Sequence, residues 1–177
     1  MTATPSQTAG PFVSIGTDWM AGGGPGDRPA GHPGASAGTV ELTGVVRDGL
    51  GEPVTDAMLE LWQPVPGAGH FRRALTGPDG GYGFVVPKPG PVPSLAPGGP
   101  ASAPHADVSI FARGLLQRLV TRVYFAGEAE ANASDPLLCA LPPELLPRLV
   151  AAVAGPGRYR FDLHLQGEME SVFFEPW

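Results

Sequence analysis

From Tyr159 to Leu165 the chain alternates residue by residue, with Tyr159, Phe161, Leu163 and Leu165 set against Arg160, Asp162 and His164. A period of two gathers the apolar members on one side only if the backbone is extended, so this run predicts a strand with one face in a core. The same reasoning places Val40, Leu42, Gly44 and Val46 on one face of a strand from Thr39, with Glu41 and Thr43 on the other, ending at the turn signal Asp48-Gly49-Leu50-Gly51. Ala57–Gln63 predicts a second strand, and Asp79-Gly80, which tolerates positive φ, predicts a hairpin between Ala74–Thr76 and Tyr82–Val86. Val108–Phe111, Leu119–Phe125 and Ser171–Phe174 complete the strands. One helix is expected over Pro143–Val153, with Pro143 suited to its first turn, Gly155 to its end and Pro147 to a kink. Short strands separated by turn residues predict an all-β chain, a β-sandwich of mostly antiparallel strands with an N-terminal arm and one short helical excursion.

The 26 glycines and 22 prolines among 177 residues would by themselves suggest disorder, but twenty of them crowd into residues 21–38 and 87–104. The excess therefore belongs to loops. Residues 1–38 are expected to form an arm and a Gly/Pro-rich linker, and 39–177 one domain large enough for its own core. A net charge of −6 and a pI near 5.1 exclude nucleic acid and an anionic membrane as natural partners. The lone Cys139 cannot form an internal disulfide and is expected to be a small apolar residue, at least half-buried. No stretch resembles a signal peptide, and the apolar region 137–153 is broken by Pro142, Pro143, Glu144, Pro147 and Arg148, which together predict a cytoplasmic protein.

Catalytic templates are scarce. His105-x-Asp107 with the distant His164 has the spacing of a facial triad for ferrous iron, but no arginine follows His164 to hold a co-substrate, and His164 is expected on the polar face of its strand. His32 and His70 have no ligand spacing, and Gly22-Gly23-Gly24-Pro25-Gly26 lacks the strand and helix of a phosphate loop. Tyr82, Tyr124 and Tyr159 fall in strands as core or sheet residues, while Trp19, Trp62 and Trp177 are expected as core or interface anchors. The terminal Phe173-Phe174-Glu175-Pro176-Trp177 would expose a large apolar end in a monomer.

Specific blocks run along nearly the whole chain: Pro5-Ser6-Gln7-Thr8-Ala9-Gly10-Pro11-Phe12, Gly51-Glu52-Pro53-Val54, Leu59-Glu60-Leu61-Trp62-Gln63, Phe111-Ala112-Arg113-Gly114-Leu115-Leu116, Thr121-Arg122-Val123-Tyr124-Phe125, and Tyr159-Arg160-Phe161-Asp162 through to Phe174. This set resembles the alpha subunits of the intradiol ring-cleavage dioxygenases that act on protocatechuate, and only residues 18–38 and 92–102 fall outside the pattern. The resemblance implies an enzyme that is the complex, converting protocatechuate and dioxygen to 3-carboxy-cis,cis-muconate in the beta-ketoadipate route of aromatic catabolism. It implies as partner a homologous beta subunit that holds Fe(III) with tyrosines and histidines, and an isolated alpha chain that binds no metal and is inactive. On the family pattern His105 occupies the first histidine position, Asp107 replaces the second, and Val92 within Gly90-Pro91-Val92-Pro93 replaces a tyrosine. These three read as vestigial ligand positions. The residues expected to line the shared substrate site at the subunit interface are Thr8, Gly10, Pro11, Phe12 and Arg113, with Phe12 standing where the family carries a tyrosine. A transthyretin-like or peptidase-accessory sandwich without enzymatic role shares the middle of the pattern, but has no reason to carry Pro5–Phe12 or Phe111–Gly114.

Overall fold

The computed structural model describes residues 8–10, 38–65, 68–94 and 98–175. Pro11, Phe12, Trp19, His32 and Trp177 therefore lie outside the described residues, as does nearly all of the linker. The strands are β1 (Thr39–Arg47), β2 (Met58–Val65), β3 (Ala68–Leu75), β4 (Gly81–Pro87), β5 (His105–Phe111), β6 (Leu119–Phe125), β7 (Val150–Gly155), β8 (Arg158–Arg160) and β9 (Leu163–His164). They form one mixed sheet in the order β3-β2-β5-β6-β7-β8-β1-β4, with β9 also on β1. The two ends of that order, β3 and β4, approach each other, so the sheet closes nearly into a barrel-like sandwich. Five of the eight named pairings are antiparallel and three are parallel.

The inward faces supply the core expected from the alternation: Leu42, Val46, Leu59, Leu61, Tyr82, Phe84, Val108, Ile110, Val123, Phe125 and Leu163 are all buried. Each such side chain contributes about 1.5–3 kcal/mol by leaving water. A second cluster of Ala103, Tyr124, Leu138 and Leu149 packs on the other side of the β5–β6 pair. Tyr82, Tyr124 and Tyr159 are buried, as expected of sheet and core residues.

Several expectations give way. Tyr159–Leu165 is not one strand: β8 pairs with Glu41–Thr43 and β9 with Val46 and Arg47, and between them the Asp162 carboxylate accepts the Val45 N–H at 3.0 Å. Glu41, on the face opposite Val40 and Leu42, is 4% exposed because β8 runs beside it, and it accepts a 2.9 Å hydrogen bond from Arg158 Nε. The helix expected over Pro143–Val153 is a 3₁₀ helix over Pro143–Arg148, after which β7 begins. Pro147 cannot donate to an α-helical ladder, and the small apolar residues that follow pair with β6 and β8 instead. Three more helical turns, Ala126–Glu128, Ala129–Ser134 and Pro136–Ala140, precede it. Asp79-Gly80 does form a turn, with Gly80 at φ +73°, but the strands it joins pair elsewhere, β3 with β2 and β4 with β1. Ser171–Phe174 is not a strand; Phe174 makes a single bridge to Val120. Phe173 and Phe174 are partly buried against the two clusters, so this part of the C-terminus is covered by the chain itself. Trp62 is not in the core: it is 46% exposed, and its indole lies across Gly69, where any Cβ would collide with it. Cys139 is exposed rather than buried.

Candidate functional site

The outward face of β5 carries His105, Asp107, Ser109 and Phe111 in turn, since alternate residues share a face. Antiparallel pairing with β6 sets His105 opposite Tyr124 and Asp107 opposite Arg122. Arg122 Nε donates to Asp107 Oδ1 at 2.8 Å. Burial disfavours the Arg122 charge, yet Asp107 and the hydroxyl of Tyr124 outweigh it and hold its pKa above the ordinary range. Tyr124 in turn donates to Asp135 Oδ1 at 2.9 Å, with its own pKa raised chiefly by burial. Asp135 is fully buried and well satisfied: it also accepts the Ala103 N–H at 2.8 Å and caps the helix Pro136–Ala140 through the N–H groups of Leu137 and Leu138. His105 is 2% exposed, with Nδ1 2.7 Å from the Ala103 carbonyl. Asp107 thus belongs to a chain of polar contacts running Asp107, Arg122, Tyr124, Asp135, and His105 adjoins its far end through the Ala103 backbone.

That arrangement does not fit a ferric iron held by this chain. Val92 offers an isopropyl group, and its backbone is bridged to Ser102. Asp107 is neutralised by Arg122, while the Tyr82 hydroxyl donates to the Phe161 carbonyl at 2.5 Å and the Tyr124 hydroxyl to Asp135. The Tyr159 ring packs edge-on against Phe125. Among the described residues no group of three or more His, Cys, Asp or Glu side chains is placed to hold a metal ion. The facial triad is likewise not assembled, since His164 sits on β9 beside Arg47 of β1.

The other end of β5 is different. The β2–β5 register pairs Met58 with Phe111, and its continuation brings Asp56 opposite Arg113. The two form an ion pair through Arg113 Nε, with Arg113 63% exposed at the tip of the β5–β6 turn. Gly114 takes φ +87°, a conformation that suits glycine, and the Leu115 N–H closes the turn on the Ala112 carbonyl at 3.3 Å. The Gly114 N–H donates to the Thr8 hydroxyl at 2.9 Å. Thr8 is therefore fastened to the residue that follows Arg113, and Gly10, exposed with open space around it, lies two residues on. At about 3.3 Å rise per residue, roughly 20 Å separates His105 from Phe111, the last residue before this turn.

The sequence motifs single out Thr8, Gly10 and Arg113, and they give no sign of the ion-pair and hydrogen-bond partners Asp56, Arg122 and Asp135. The signal for Asp135 was available in Asp135-Pro136, an N-cap residue followed by proline at the first helical position. Asp56 and Arg122 become visible only once strand register is known.

No protein-family model matches the chain. It is 40% identical to the protocatechuate 3,4-dioxygenase alpha chain of Pseudomonas putida, over 97% of this chain and 96% of that one. It is 28% identical to the protocatechuate 3,4-dioxygenase beta chain of Burkholderia cepacia, over 77% and 61% respectively. Among solved structures, the dioxygenase domain of a dioxygenase carbohydrate-binding protein fusion from Streptomyces sp. SirexAA-E superposes with a TM-score of 0.53 at 26% identity, covering 94% of this chain and 99% of that one.

Proposed function

The chain belongs to the protocatechuate 3,4-dioxygenase alpha chains of the intradiol ring-cleavage dioxygenase family, and on that premise we propose that it completes, without itself holding iron, a substrate site whose Fe(III) is bound by a homologous beta chain. The iron would supply the activation of the catechol toward dioxygen. This chain supplies the surroundings, with Thr8, Gly10, Pro11 and Phe12 of the arm and Arg113 lining the mouth at the interface. Gly10-Pro11 offers a rigid bend without bulk, so that backbone can approach a flat ring, and Phe12 offers an apolar wall. The planar guanidinium of Arg113 orients the carboxylate of protocatechuate. In this reading residues 39–177 form the domain, 1–38 an arm and linker, and the complex is a cytoplasmic catabolic enzyme.

One observation carries the proposal. Thr8 is held by Gly114, next to Arg113, beyond one end of β5, while His105 stands at the other end and Asp107 two residues in from it. Residues about 20 Å away along the strand cannot serve their own chain's former ligand positions, so the surface they form faces a site on another chain. An accessory sandwich without enzymatic role would have no use for this surface, and the relationship to the alpha chains spans 97% of the sequence.

The test is Arg113→Ala in the complex with the beta chain. Losing a charge-assisted contact costs roughly 1.5–3 kcal/mol, on the order of tenfold to a hundredfold in kcat/KM. That loss is expected for protocatechuate and not for catechol, which lacks the carboxylate, while iron content and colour persist. Equal losses on both substrates would make Arg113 an interface residue and remove it from the site.

A further inference from the structure

An arginine 63% exposed at the tip of a turn has many rotamers open to it, yet Arg113 is held. Its counter-ion is Asp56, a residue planted firmly at the entrance to β2. The adjoining Ala57 is fully buried and is fastened on both sides to Thr76, its N–H donating to the Thr76 hydroxyl at 2.9 Å and its carbonyl accepting the Thr76 N–H at 2.9 Å. The Asp56 carboxylate is itself short and 26% exposed, so its position follows from that backbone.

We propose that Asp56 is a positioning residue, one that sets the Arg113 guanidinium in the orientation that receives the substrate's carboxylate. The inference rests on the reading of Arg113 as the cation at the mouth of the shared site. An exposed ion pair adds little to stability, so a structural purpose is a poor explanation for it. Its geometry explains more. The contact is made through Nε, at the root of a planar group that has a second edge of paired N–H donors, the edge that matches a carboxylate in a two-pronged fit. Asp56 holds one side of the guanidinium and leaves the other to the ligand. It also balances the local charge, so selection depends on an oriented contact and not on general attraction of anions.

The experiment is Asp56→Asn in the complex with the beta chain, assayed on protocatechuate and catechol. The side chain keeps its size and loses its charge. Leaving Arg113 to be ordered anew at each binding event lowers kcat/KM for protocatechuate by about three- to tenfold, the scale of immobilising one long side chain. The loss is expected in KM, with kcat, iron content and turnover of catechol unchanged, and Asp56→Glu recovers part of it. Combined with Arg113→Ala, Asp56→Asn is expected to add nothing, because there is no longer a side chain to orient. An unchanged or improved kcat/KM for protocatechuate, or equal losses on both substrates, would overturn the assignment. If Arg113→Ala discriminates between the substrates and Asp56→Asn does not, only this inference falls. If Arg113→Ala itself fails to discriminate, the reading beneath it falls too.

Discussion

His105 shows how far a single residue can be read from sequence. Its position was marked by the motif around it, but its partners were not. Ala103 and Asp135 are 32 residues apart, and Tyr124 comes opposite only through the β5–β6 register. Burial holds the His105 imidazole below its ordinary value near 6.5, and the Arg122 charge pushes the same way, while the Ala103 carbonyl, Asp107 and Asp135 oppose them. A histidine that titrates lower in the fold than in the unfolded chain gives the unfolded state the larger share of protons between the two values. Its contribution to stability is therefore complete above about pH 6.5 and is lost as the pH falls through the folded value. Urea unfolding followed from pH 7 down to about 5 is expected to show that decline. His105→Asn, whose amide donates to the same carbonyl without taking up a proton, is expected to flatten it. Identical profiles for the two proteins would place the acid sensitivity elsewhere.

Elements were legible where one strand has one set of partners. β1 and β6 stand where the sequence placed them, β5 begins at His105 and not at the expected Val108, and the turn at Asp79-Gly80 is present. Legibility failed where a segment serves two partners or where tertiary pairing overrides a local signal. The alternation from Tyr159 to Leu165 says nothing of the break at Phe161 and Asp162, since that break is set by β1. At this crossing Gly44 has almost no room: a Cβ there would stand 1.8 Å from the Phe161 carbonyl oxygen, which also accepts from the Tyr82 hydroxyl. The obstruction is backbone tied into the sheet by the Phe161 N–H on Thr43 O, so it cannot swing aside. Gly44→Ala is expected to cost about 3 kcal/mol or more, visible as a large fall in melting temperature or as insoluble expression. A melting temperature within a few degrees of the parent would show that β8 and β9 can shift off β1 cheaply.

At the scale of the whole molecule, the terminal aromatics taught the clearest lesson. Composition alone suggested an uncovered apolar end, but Phe173 and Phe174 find cover in the two clusters, and a count of aromatic residues contains no information about folding back. Among the described residues, the large apolar side chains left exposed are Leu50, Trp62, Phe71, Leu116, Val153 and Met169, with Arg73 stacked 5.3 Å from the Phe71 ring. Produced with a beta chain, this chain is expected to elute as a defined complex carrying iron and a burgundy colour, because phenolate-to-ferric charge transfer needs the tyrosine ligands of that partner. Produced alone it should be colourless, with far less than one iron per chain by metal analysis. A stable coloured monomer with stoichiometric iron would refute the division of labour.

The pairing of Asp107 with Arg122 also constrains substitution. The Arg122 side chain is only 22% exposed, and its carboxylate partner is at 2.8 Å. A histidine placed at 107 would leave that guanidinium without its counter-ion, a cost of about 1–3 kcal/mol for a charge only partly shielded from water. A single change toward a second histidine on this strand therefore carries a stability cost of its own. The pair thus holds Asp107 in place, and a variant at this face keeps its stability by keeping both partners or replacing both together.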